Sequence, residues 1–411
     1  MCITAVTRKW PDTITGPSTD SLRAFRLHST LIGEDGNLYG TGYNAYSQLG
    51  DKTTTNSKNF KWLLSDVKAA DGGQNQIVAV KNDGSLWAAG YNGHGELGDG
   101  STATSKVFKE VIDKDVVFVS AGYYHTVVIK QDGSLWATGY NGYGQLGDGT
   151  TTQRLGYVKV IDTNVEDVSA GDYFTMVIKQ DGSLCAAGYN NYGQLGDGTT
   201  TNRKDFVTVI PSGVMDVSAG DYFTLALKQD GSVWAAGLNN YGQLGDGTTT
   251  ARHTFVQVID RDVKAVSTST RHTLALKQDG SLWAAGRNTY SQLGDGTTTG
   301  RKIFVKVVNS GVKEVSNGFD HSLFLNDKNE LCFVGYNGYG QLGTGGTATV
   351  KTIQCKPRPG ASKCCHSSVA CMPAYLSSFY QPANNVVEQR HCSSSPHTCS
   401  WHTPLRTHDM T

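Results

Sequence analysis

One nine-residue marker, Gly-Tyr-Asn-Gly-Tyr-Gly-Gln-Leu-Gly and close variants of it, recurs seven times along this chain. Its first glycine falls at Gly42, Gly90, Gly139, Gly188, Gly237, Gly286 and Gly335, so successive copies stand 48 residues apart once and 49 residues apart five times. Self-similarity at a fixed period of this length specifies a repeat architecture, in which each unit buries its apolar face against its neighbours. Columns that agree in every copy describe a scaffold. A specific activity has to be sought where the copies disagree.

The copy from Val263 to Val308 shows what one unit is. Val263 to Ser267 is a short β-rich run, Thr273 to Lys277 alternates apolar and polar residues, and Leu282 to Ala285 follows a Gln278-Asp279-Gly280-Ser281 turn. Asp-Gly between alternating runs is a strong hairpin signal. After the loop from Gly286 to Thr299, Ile303 to Val308 supplies a fourth β-branched run. Four short antiparallel strands per unit make one propeller blade. No segment keeps a helical period, and 49 glycines with only 18% charged residues suit strands and turns. The expected fold is all-β: a seven-bladed β-propeller, four antiparallel strands per blade, about 49 residues per repeat, with an irregular C-terminal tail.

The columns divide into packing and polar sets. Tyr39, Trp87, Trp136, Cys185, Trp234, Trp283 and Cys332 share one position, each next to Leu38, Leu86, Leu135, Leu184, Val233, Leu282 or Leu331. A large side chain beside an aliphatic one, repeated in each copy, reads as blade-to-blade packing. Cys185 and Cys332 in that column read as small buried hydrophobes rather than ligands or nucleophiles. The marker Asn (Asn44 to Asn337) and the Gln column, in which Glu96 stands once for Gln, read as buried amides that satisfy loop backbone rather than a ring of ligand-binding groups.

The ends are less regular. Six inner strands are visible, and the seventh falls near Ser21 to Phe25; Val350 to Gln354 supplies the last outer strand. Ring closure is expected to make the first and last blades share strands from both termini. The domain reading is therefore 1–20 as an N-terminal segment and possible closure strand, 21–354 as the propeller and 355–411 as a Cys/His/Ser-rich, disordered tail. Six of the nine cysteines and five of the eleven histidines lie in that tail, without the spacing of a structural zinc site.

Formal net charge is zero, so nucleic acid is not an expected partner. No apolar run approaches the ~20 residues of a membrane-spanning helix, and 1–20 lacks the layout of a signal peptide. A monomeric cytoplasmic or nuclear protein is expected. Through Gln354 there are only three cysteines, too few for a disulfide framework.

The loop before the second strand is where the copies differ. All seven must emerge on one face of the ring. That face is expected to carry Tyr123, Tyr124, Asp172, Tyr173, Asp221, Tyr222, Arg271, Phe319 and Asp320 as a partner-binding set, aromatics framed by a few acids. The competing reading makes these side chains plain caps of the blade ends. His125, His272 and His321 share a column with Phe174 and Phe223, so packing is their role rather than catalysis; no loop sets a base beside a nucleophile. Asp148, Asp197, Asp246 and Asp295 each begin an Asp-Gly-Thr-Thr-Thr turn with one carboxylate, too few for a calcium loop. No catalytic residue, metal site or cofactor is expected.

The pattern Ala-Gly-x-x-His-Thr, then Asp-Gly-Ser-Leu-Trp-Ala-Ala-Gly, then Asn-x-Tyr-Gly-Gln-Leu-Gly-Asp-Gly resembles the repeat of the regulator of chromosome condensation family from about His28 to Gly343. The resemblance implies a seven-bladed propeller and a choice of functions. The family's founder is an exchange factor for the small GTPase Ran, other members are domains of ubiquitin ligases and signalling proteins, and a similar bacterial propeller is a secreted β-lactamase inhibitor that binds through this face. The founder uses a strand pair inserted in one blade and a basic N-terminal arm. Here the even spacing leaves no room for an insertion, and 1–20 holds only Arg8 and Lys9 as basic residues. The expected function is a non-enzymatic scaffold that binds a protein across one face, with guanine-nucleotide exchange on a small GTPase as the alternative and a secreted inhibitor or adhesion module as a weaker one.

Overall fold

In the computed structural model of the protein, residues 21–361 are described. They form seven four-stranded antiparallel sheets. Blade six, for example, is Val263–Thr268, His272–Lys277, Leu282–Gly286 and Arg301–Val308, from the axis outward. The strands are the expected ones, lengthened by a residue or two at their ends. The innermost strands surround a central channel, and apolar clusters fill the space between consecutive blades. Trp87 of blade two packs on the core of blade one, and Trp283 of blade six on that of blade five.

Closure differs from expectation. No blade mixes strands from the two ends. Blade one holds Leu22–Ala24 through Ser57–Leu64 and blade seven holds Val312–Asn317 through Val350–Pro357, each a continuous stretch. Shared strands are unnecessary because the innermost strands are stitched by side chains. The edge N–H of Ala170 donates to Ser120 Oγ at 3.1 Å, that of Ala219 to Ser169 Oγ at 3.0 Å and that of Thr268 to Ser218 Oγ at 2.9 Å. At the seam Ala24 N–H donates to Ser316 Oγ at 2.8 Å, repeating the stitch. A serine thus satisfies the inner sheet edge at five junctions, the seam included, while Asp71 Oδ2 takes its place for Ala121 N–H at 2.9 Å. Leu22, Leu31, Leu323, Leu331 and Phe333 close the seam with an apolar cluster like those elsewhere.

Two further corrections fall at the C-terminal end. The last outer strand runs to Pro357, three residues past Gln354, so Cys355 belongs to blade seven and not to the tail. Cys332 is buried as expected, but it is not free. It is disulfide-bonded to Cys355, its register partner on the neighbouring strand. Among the described residues Cys185 is the free buried thiol, packed against the core of blade three. The proposed closure role of 1–20 and the tail from residue 362 onward lie outside the described residues.

Candidate functional site

Strand order decides which loops share a face. In blade three the second strand begins at His125 opposite Gly139, where the third strand ends. The loop before the second strand and the loop after the third therefore leave from one end of the blade. The Asp-Gly hairpins leave from the other. The same register holds in every blade, for example His272 opposite Gly286 in blade six. Fourteen loops thus crowd one face, two per blade.

The two loops of a blade are tied by backbone. Tyr140 N–H donates to Tyr124 O at 2.8 Å, Tyr189 N–H to Tyr173 O at 2.9 Å and Arg287 N–H to Arg271 O at 2.9 Å. That approach explains the invariant marker glycine. Gly139 has φ +104°, and a Cβ there would lie 2.4 Å from Tyr124 O. Below the tie, the marker Asn locks the outer loop. Asn141 Nδ2 donates to Asp148 Oδ1 at 2.9 Å and to the carbonyls of Thr150 and Thr152, while its Oδ1 accepts Leu146 N–H at 3.0 Å. The Gln column accepts a backbone N–H two residues earlier, as Gln145 does from Tyr143 at 3.1 Å. Both columns are structural, as read from the sequence. Asp148 pairs with Arg154 at 2.6 Å, so the Asp-Gly-Thr turns are ion-paired turns.

All nine residues singled out from the sequence lie on this face, although not all in the same setting. Tyr123, Asp172, Asp221 and Phe319 ring the channel mouth, with Arg26, Gln74 and Thr270 completing the circle. Tyr124, Tyr173, Tyr222, Arg271 and Asp320 stand one step outward. Asp320 is buried rather than part of an exposed acidic frame, and accepts Gln292 Nε2 at 2.7 Å. Arg287 and Arg271 stand 3.6 and 4.0 Å from it. Burial still pushes its carboxyl up to about 6, against the pull of Arg287 and Arg271. Burial also raises Asp172 and Asp221; the neighbouring charge of Asp221 adds to the rise at Asp172, and Arg26, 3.9 Å from Asp221, opposes it at both.

The marker tyrosines lie on the same candidate face, although the sequence reading left them inside the scaffold. They join the predicted ones in a continuous arc. Ring contacts run from Tyr290 to Tyr336 (5.0 Å), Tyr339 to Tyr43 (5.2 Å), Tyr46 to Tyr91 (5.4 Å) and Tyr91 to Tyr124 (5.9 Å). They continue through Tyr123–Tyr173 (5.4 Å, stacked), Tyr143–Tyr189 (4.8 Å) and Tyr192–Tyr222 (5.3 Å). Tyr339–Tyr43 and Tyr46–Tyr91 meet edge-to-face, the arrangement the ring quadrupole favours, and the other unstacked pairs are tilted. Burial raises the phenols of Tyr124, Tyr173 and Tyr222, so they stay protonated donors. The strand direction alone would have placed the marker tyrosines beside the variable loops.

The histidines of this region lie beneath the face. His125 and His272 are fully buried, and each Nε2 meets a hydroxyl of the next blade at 2.9 Å, Thr175 and Ser322 respectively. Burial holds both imidazoles down to about 3. They are neutral packing groups. Among the described residues no group of three or more His, Cys, Asp or Glu is placed to hold a metal ion, and no helix is long and apolar enough to cross a membrane. The arrangement offers contact chemistry: stacked rings, phenol donors and a few half-buried charges.

Comparisons with known proteins agree with the architecture. A model of the regulator of chromosome condensation repeat matches residues 83–129, 132–178, 181–227 and 230–276. A second model of the same repeat matches 116–145, 165–194, 214–243 and 263–292. No curated protein matches the chain in sequence. The structure of Prp20p from Saccharomyces cerevisiae, described with its binding to Gsp1p and histones, superposes with TM-score 0.70 at 17% identity, covering 82% of this chain and 87% of that one. Yeast Prp20 bound to Kap60 gives 0.69 at 16% identity over 86% and 91%. Human WBSCR16 gives 0.67 at 19% identity over 74% and 86%. Identities this low speak to the fold alone.

Proposed function

The chain belongs to the regulator of chromosome condensation repeat family, and from that premise we propose that it is a non-enzymatic propeller that binds a partner protein across the face of paired loops. The continuous tyrosine arc carries this reading. Tyrosine supplies large contact area at low entropic cost and a hydroxyl that hydrogen-bonds. The loops that bear it are tied to one another and locked by buried asparagines, so little freedom is lost on docking. Packing alone requires no such belt, since Leu238 and Arg287 occupy the column of Tyr140 and Tyr189 in other blades without loss of the backbone tie.

Affinity capture from cell extract with the full chain, run beside a variant with Tyr123, Tyr173 and Tyr222 changed to Ala, tests the proposal. A partner retained by the first and lost by the folded second supports it. Identical capture by both sinks it. Exchange on a small GTPase is the second reading. It is favoured by the family and by the likeness to Prp20p, which is described with its binding to Gsp1p. Against it, every described blade has four strands and no inserted pair. Acceleration of labelled nucleotide release from a captured GTPase would promote it.

A further inference from the structure

The face is not chemically uniform. In blades three and four the tied loop positions are Tyr124 with Tyr140 and Tyr173 with Tyr189; in blade six they are Arg271 with Arg287. Two departures from the repeat thus fall on the two residues that the backbone holds together. A third, Arg26 of blade one, stands on the far side of Phe319. The guanidinium of Arg271 lies 4.3 Å and that of Arg26 4.7 Å from the Phe319 ring centre. Arg287 lies 5.6 Å from Tyr241 and 5.7 Å from Tyr290. Stacking on rings fixes the planes and leaves guanidinium edges available.

Their counter-charges among the described residues, Asp320, Asp221 and Asp172, are set back from them. Asp320 is buried and shared by Arg271 and Arg287 at 4.0 and 3.6 Å, beyond hydrogen-bond length. Asp221 is 3.9 Å from Arg26. Among the described residues, the one side-chain hydrogen bond from these arginines is Arg287 Nε to Thr289 Oγ1 at 3.1 Å. Arg271 and Arg287 are 27% and 20% exposed, enough for an acceptor to reach them from solvent.

We propose that the arginine corner of Arg271, Arg287 and Arg26 around Phe319 receives a carboxylate side chain presented by a loop of the protein partner. The proposal rests on the partner-binding reading above and names one chemical requirement of that partner. An isolated carboxylate fits better than a polyanion. Asp172 and Asp221 share the same channel mouth and would repel a run of phosphates, while the neighbouring tyrosines suit the apolar flanks of a protein loop.

Disulfide-closed random peptide loops displayed on phage, selected on the full chain, supply the probe. Selected loops are expected to carry an Asp or Glu and to bind about ten- to hundredfold more weakly to the Arg271→Gln/Arg287→Gln variant. Changing the loop's own acid to its amide is expected to cost a similar factor, and the two losses are not additive. Arg271→Lys/Arg287→Lys is expected to recover part of the affinity, and a cooperative unfolding transition with an unchanged urea dependence shows that the Gln variant is folded. Loops without an acid, or with equal affinity for the Gln variant, overturn the proposal. So does duplex DNA binding that the Gln variant abolishes. If Tyr123, Tyr173 and Tyr222 changed to Ala weaken binding while the Gln changes do not, this inference fails and the partner-binding face stands. If neither set of changes matters, both fail.

Discussion

Blades three and six are built on one buried frame and present opposite chemistry at the rim. In each, the marker Asn donates to an Asp seven residues on, Asn141 to Asp148 at 2.9 Å and Asn288 to Asp295 at 2.8 Å. Each accepts a Leu N–H at 3.0 Å, and each Asp holds an Arg at 2.6 Å. One residue before the Asn, blade three exposes Tyr140 and blade six Arg287. The hydrogen-bonded frame fixes the loop backbone without reference to the side chain beside it. Rim chemistry is therefore free to differ from blade to blade, while the buried frame departs from its pattern only at single positions such as Glu96 and Thr344.

The contrast can be attacked from the frame first. Asn141→Ala and Asn288→Ala should each cost about 3–5 kcal/mol, because Leu N–H and two Thr carbonyls lose a buried partner. Urea unfolding measures it; a cost below about 1 kcal/mol at either site would mean that water replaces the amide. Next comes the disulfide of blade seven, whose partners are 23 residues apart. Cys332→Ser should cost about 3 kcal/mol through loop entropy. Cys185→Ser, in the same column but facing only Thr208 at 3.6 Å, should cost less and should not respond to reductant.

Blade two offers a departure inside the frame itself. Glu96 stands in the Gln column, and burial raises its carboxyl from 4.5 to about 7. The folded state then holds a proton that the unfolded state has lost between those values, so stability falls as pH rises from about 4.5 to about 7 and stays low above. Glu96→Gln should leave stability at pH 4 unchanged and raise it at pH 8, by about 3 kcal/mol at most. About 1–2 kcal/mol is the realistic gain, since Gln145 Nε2 at the equivalent place lacks a partner. An equal effect at both pH values would show that the carboxylate is solvated. The smallest effect is expected at the rim, where no buried charge is involved: Tyr140→Arg should move stability by no more than about 0.5 kcal/mol. A larger loss would couple rim to frame.

Much of this frame was legible in the sequence. The fixed period, the Asp-Gly hairpins and the alternating runs define four strands and their order, and with them the single face to which Tyr123, Asp172 and Phe319 belong. Closure was not, because the stitching hydroxyls of Ser316 and its equivalents look like ordinary strand serines until the inner edges are seen side by side. The Cys332–Cys355 pair had a usable signal. Trp87 faces Glu110 and Trp136 faces Lys159 at the same interval, so the column partner of Cys332 is Cys355; ending the propeller at Gln354 concealed it. The arginine corner was the least accessible. Arg26 lies far from Arg271 and Arg287 in the chain, and ring closure alone brings blade one beside blade seven.

Hydrogen–deuterium exchange on the full chain, alone and with the captured partner, tests the functional claim most directly. Protection is expected in the loops at 122–124, 171–173, 220–222 and 318–320, with the Asp-Gly hairpins at 131–134 and 180–183 unchanged. Protection confined to the hairpins or the outermost strands, with those loops exchanging as before, would contradict it.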